Sequence, residues 1–196
     1  MNLKDRVVNI ITAPKTEWPV IAAEITDVAS LYKGYVIPLA AIPAIASFIG
    51  VSLIGVNLGF VRYHVPIGSA LTSAILTYVL TLVGLYVSAL VVDYLAPKFQ
   101  SEKGLIQALK LVVFASTPAW LAGILSIIPG LAIIGALVSL YCIYLLYLGM
   151  TPLLKTPEAQ VLPYMVVSAI VIIVVMIVIS IIVGAIASPA MIVPAI

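Results

Sequence analysis

Charge is what this sequence has least of. Its 196 residues include nine Lys and Arg, seven Asp and Glu, and one His. That is 8% charged, against roughly 25% in a soluble domain. A chain this long can bury a sizeable core, but only inside a polar surface that these residues cannot supply. The net charge of +2, with no Lys/Arg cluster, excludes nucleic acid as a partner class. The single Cys142 excludes an intrachain disulfide. The single His64 stands far from it, and no HExxH, GxSxG, P-loop or CxxC spacing occurs. No catalytic residue, metal site or cofactor is therefore expected. A cleavable leader is not expected either, because MNLKDRVVNIIT carries three charges and no long apolar run.

What the chain does have is long apolar runs. Hydrophobic residues make up 64%, and the mean hydropathy is +1.32. Residues 111–154 form the longest stretch without Asp, Glu, Lys, Arg or His before the C-terminal segment. A bilayer core of about 30 Å is crossed by roughly 20 helical residues, so this stretch is two helices, turned at Pro129-Gly130. The same reasoning places five spans at about 34–57, 67–92, 111–128, 131–150 and 161–187, an all-α bundle. Pro38 and Pro43 fall inside the first span, which a membrane helix tolerates when neighbours satisfy the freed carbonyls. Residues 188–196 are expected as a short tail beyond the membrane.

Residues 1–33 read as a cytoplasmic segment lying in the membrane interface. Leu3, Val7, Ile10 and Ile11 share one helical face, and Lys4, Asp5, Arg6 and Asn9 lie beside or opposite it. Thr16 is the expected cap of a second helix, in which Trp18, Ile21, Ile25, Val28 and Tyr32 align, with Glu17, Glu24 and Asp27 on a solvated acidic face. Five spans put the termini on opposite sides. With the N-terminus inside, Lys4, Arg6, Lys15, Lys33, Lys98, Lys103, Lys110 and Lys155 are cytoplasmic and only Arg62 is outside, as the positive-inside rule requires.

Candidate functional residues are few. Asp93 ends the second span and Lys110 begins the third, placed for a cross-helix pair at the cytoplasmic mouth; independent snorkelling to the headgroups is the alternative. Ser69, Ser73, Thr77 and Thr81 recur every four residues. Close helix packing is the favoured reading and a polar lining for a solute path the other, with Thr117 and the Pro118 kink as further lining. Tyr141, Tyr144 and Tyr147 share a side of the fourth span, where a deep Tyr141 would need a hydroxyl partner. Lys15, Trp18 and Glu24 are the candidate contacts to a protein partner or to lipid.

Taken in order, Pro14-x-x-x-Trp18 with Ile21 and Glu24, then Phe114-Ala115-Ser116-Thr117-Pro118 with Leu121, Gly123 and Pro129, then Tyr144-Leu145-Leu146-Tyr147-Leu148-Gly149, resemble the YIP family of five-span membrane proteins. The likeness is to its compact bacterial inner-membrane, YohC-like branch. For eukaryotic members the resemblance implies binding of prenylated Rab GTPases in membrane traffic. Here Ser30-Leu31-Tyr32-Lys33-Gly34 stands where those members carry Asp-Leu-Tyr-Gly-Pro, and their long cytoplasmic extension is not expected. The expected function is a non-enzymatic scaffold or adaptor in the bilayer, acting through its N-terminal segment, self-association and an unidentified cytoplasmic protein. The alternative is a transporter or channel for a small solute or lipid.

Overall fold

The computed structural model describes residues 2–57, 62–128 and 131–187. Two short helices, α1 (Leu3–Thr12) and α2 (Pro14–Ala23), precede the long ones. These are α3 (Val28–Ile54), α4 (Ile67–Phe99), α5 (Leu105–Ile127), α6 (Ala132–Leu154) and α7 (Glu158–Ala187). A two-residue antiparallel ladder, β1 (Val56–Asn57) with β2 (Arg62–Tyr63), closes the connection from α3 to α4. The Pro129-Gly130 turn and the 188–196 tail lie outside the described residues.

Local chemistry explains the helix ends. α2 starts at Pro14 rather than after Thr16, because proline suits a first helical position whose N–H has no partner anyway. Thr16 Oγ1 instead donates back to Ala13 O at 2.9 Å. The helix also stops earlier than its apolar spacing suggests. It ends at Ala23, Ile25 is fully exposed, and the chain restarts where Asp27 Oδ1 accepts the Ser30 N–H at 2.6 Å. Hydrogen bonding from Ser30, side chain first and then backbone, holds the Asp27 carboxyl below its ordinary 3.8. In α3 the turn Tyr32–Val36, just before Pro38, widens to a π-helix, and a second π turn, Gly50–Ile54, closes it. Such turns accommodate carbonyls that a proline cannot pair. α5 is α-helical to Ala115, breaks at Ser116, restarts with Pro118 in its first turn, and tightens to 3₁₀ over Gly123–Ile127.

α5 is the central element: Ala108 through Ala115 are all buried. α4 packs on it and on α7, where Tyr164 donates to Val92 O at 2.6 Å and a Cβ on Gly84 would meet Ile179 Cδ1 at 2.7 Å. Two loops meet at one end of the bundle. Glu102 N–H donates to Leu154 O at 2.8 Å, Ser101 Oγ to Thr156 Oγ1 at 2.9 Å, and Lys155 pairs with Glu102 at 2.8 Å. This end also carries Lys98 and Lys103 and is called the charged end below. Outward faces are apolar. Leu71, Ile75, Val79, Val83, Val87 and Leu90 run along α4, and Ile170, Ile173, Ile177 and Ile181 along α7, all exposed as a lipid-facing surface must be.

The largest departure from the sequence reading is in residues 1–33. α1 and α2 are docked on the bundle, which the sequence reading does not anticipate: α2 packs on α6, and α1 on the middle of α5. Ile10 and Ile21 are wholly buried, so the apolar faces are matched against protein.

A candidate site where a buried charge cluster holds the N-terminal helices

The helical stripe Leu3, Val7, Ile10 contains one charged residue, Arg6, at a spacing that puts it on the same face. The fold buries it. Arg6 Nη1 donates to Glu17 Oε1 and Nη2 to Glu24 Oε2, while Asn9 Nδ2 donates to Glu17 Oε2 at 3.2 Å. The guanidinium also lies over the Phe114 ring, 5.7 Å from its centroid. Arg6 and Glu17 are each about 5% exposed, whereas the Glu24 side chain keeps 42% of its surface in contact with solvent. Charges this far from water are tolerated only when paired and hydrogen-bonded. The geometry meets that condition.

Lys110 is the fourth charge. It sits between Leu109 and Leu111 in the most apolar turn of α5 and is 2% exposed. Its Nζ donates to Ile21 O at 2.9 Å and Glu24 O at 2.6 Å. These carbonyls lie at the C-terminal end of α2, where a helix has unsatisfied acceptors and a partial negative charge. Gln107, one turn earlier, donates from Nε2 to Ala22 O at 3.3 Å. α5 thus caps α2 with side chains, and the two cations and two anions of the cluster balance.

Trp18 fills the space between. It is 1% exposed, edge-on to Phe114 at 6.4 Å. Its fit requires Gly149, since a Cβ there would stand 2.5 Å from Leu111 Cδ1 and 2.9 Å from the Trp18 ring. Tyr35 lies 4.6 Å from Phe114, and its hydroxyl shares a 2.8 Å hydrogen bond with Thr117 Oγ1. Tyr141 donates to Ile11 O at 2.5 Å.

The candidate residues therefore divide. Trp18 is not available as a contact, because it is enclosed by α5 and α6; Glu24 is tied to Arg6; Lys15 is exposed. Glu17 is not part of a solvated face. Asp93 and Lys110 do not pair. Asp93 Oδ1 accepts the Gly104 N–H at 2.6 Å, fastening the loop before α5, while Lys110 serves α2. Ser73, Thr77 and Thr81, with Ser47 and Ser126, line a crevice of about 440 Å³ between α3 and α4. Ser69 is buried one turn away, and Ser73 Oγ bonds back to Ser69 O at 2.9 Å. Thr117 and Pro118 lie buried beside Tyr35, away from that crevice. Among the described residues no group of three His, Cys, Asp or Glu is placed to hold a metal. Arg6 and Glu17 were missed by sequence reasoning, although a charge inside an apolar stripe was the available signal.

No solved structure matches this chain. Among curated proteins it is similar to "Inner membrane protein YohC" of Escherichia coli strain K12 and to the protein of the same name in strain O6:H1. Each is 29% identical over 161 residues, which cover 79% of this chain and 82% of the relative. The family model described as the Yip1 domain matches residues 8–188. That range contains the Trp18, Phe114–Pro118 and Gly149 positions that meet around the charge cluster, and it runs through all the long apolar helices. The chain is a polytopic membrane protein and belongs to the Yip1 domain family.

Proposed function

We propose that the protein is a non-enzymatic scaffold of a bacterial inner membrane, with its N-terminus in the cytoplasm, that self-associates and presents α1–α2 to a cytoplasmic protein partner. The observation that carries this reading is the neutral, internally satisfied charge cluster. Arg6, Glu17, Glu24 and Lys110 spend their hydrogen bonds on fastening α1–α2 to the bundle, which leaves a rigid outer face bearing Lys4, Asp5, Val8, Lys15 and Val20. A preorganised face binds with less ordering cost than a mobile segment. The location follows the printed name of the relatives and agrees with the excess of lysine at the charged end.

A photo-crosslinker replacing Asp5, exposed on the same face, tests the reading in native membranes. A discrete protein adduct is expected, lost in Lys4→Glu/Lys15→Glu double variants that remain folded. The crevice lined by Ser73, Thr77 and Thr81 favours a second reading, a path for a small solute or lipid. Specific flux through purified protein in liposomes, abolished by Ser73→Phe or Thr77→Phe, would replace the scaffold with a transporter.

A further inference from the structure

α4 ends in a ring that two cations share. Tyr94 is 66% exposed, and the Nζ atoms of Lys98 and Lys103 stand 5.7 Å and 5.9 Å from its centroid. Neither ammonium has an acidic partner among the described residues. The nearby acids are committed elsewhere: Glu102 pairs with Lys155, and Asp93 Oδ1 accepts the Gly104 N–H. Two positive charges without an acidic partner therefore stand 5.7 Å and 5.9 Å from one ring, on the 3₁₀ turn Ala96–Phe99 and the loop that follows it. An exposed apolar stripe leads to the same ring. Leu90, Val87, Val83 and Val79 follow Tyr94 down the outer face of α4 at intervals of three or four residues.

We propose that Lys98, Lys103 and Tyr94 form a binding site for one anionic phospholipid. The two ammonium groups flank its phosphate, the exposed phenol lies at headgroup level, and one acyl chain lies along Leu90, Val87 and Val83. The charge argues for this occupant over a zwitterionic lipid. In a zwitterionic headgroup a built-in cation already offsets the phosphate, whereas an anionic headgroup leaves the negative charge for the lysines. The stripe argues for a lipid over a free anion, because phosphate alone makes no use of it. Lys155 belongs to the same end but is neutralised by Glu102, and so lies outside the site.

The test uses the full chain in detergent with equimolar phosphatidylglycerol and phosphatidylcholine of identical acyl chains, with retained lipid counted by native mass spectrometry. A lysine near an anionic lipid contributes about fivefold in affinity, so phosphatidylglycerol is expected to be favoured roughly 10- to 30-fold. Lys98→Gln/Lys103→Gln should bring the two lipids within about twofold of each other, with helical circular dichroism unchanged, and Lys155→Gln should leave the preference intact. An equal loss in Lys155→Gln would mean a diffuse basic surface and overturn the site. So would a preference that survives the double variant. Displacement of phosphatidylglycerol by millimolar inorganic phosphate would assign the lysines to a free anion and overturn the lipid as occupant.

Discussion

Arg6 satisfies two carboxylates at once, one of them as deeply buried as itself, and the consequence of losing it follows from that asymmetry. Arg6→Leu leaves Glu17 with Asn9 as its remaining hydrogen-bond donor, while Glu24 can turn to water. Stranding a buried charge costs about 3–5 kcal/mol, so thermal unfolding of the purified protein in detergent should fall by that amount. Replacing both partners is a different experiment, since buried ion pairs are often no more stable than apolar residues of similar volume. Arg6→Leu/Glu17→Leu is expected to recover most of the loss. A double variant no more stable than Arg6→Leu would mean that the salt bridge does not hold α1 as described.

Elements are fastened here by side chains reaching across to backbone at helix ends. Lys110 caps α2 and Asp93 fastens the loop before α5, and they are independent because their partners are different. Lys110→Met should cost about 3–6 kcal/mol, since it removes two hydrogen bonds from a charged donor worth roughly 1.5–3 kcal/mol each, and Asp93→Ala about 1 kcal/mol, as for a lost helix-capping side chain. Combined, the losses should add to within about 0.5 kcal/mol; a double variant no worse than Lys110→Met alone would restore the direct pair. The long helices were legible from the sequence, since uncharged runs of span length have one solution in a bilayer. Motif residues such as Trp18, Phe114, Thr117 and Gly149 were legible as an ordered set too. What they are for was not. Trp18 reads equally well as a headgroup anchor or as a packed core ring, and only the small size of Gly149, 131 positions further along the chain (149 − 18), decides between them. Arg6 likewise reads as polar until its partners from α2 are brought beside it.

At the scale of the whole molecule the charged end and the opposite end differ in a way that predicts an orientation. Lys98, Lys103 and Lys155 share one end with the connections that precede α5 and α7, while His64 belongs to the connection between α3 and α4 at the other. Each cation retained on the cytoplasmic side resists translocation, so the charged end should face the cytoplasm, and α1–α2, capped by Lys110 from that side, should face it too. Single cysteines in a Cys142→Ser background read this directly. Cysteine replacing Lys4 or Lys98 is expected to react with a membrane-impermeant maleimide only in inside-out vesicles, and cysteine replacing His64 only in intact cells whose outer barrier has been opened. Labelling of the Lys4 and Lys98 positions from opposite sides would break the fold itself, because α1 is tied to α5 through Arg6 and Phe114 and cannot cross the bilayer without releasing them. Labelling of both from the outside would leave the fold intact and invert the molecule, and the scaffold reading, which needs a cytoplasmic α1–α2, would fall with it.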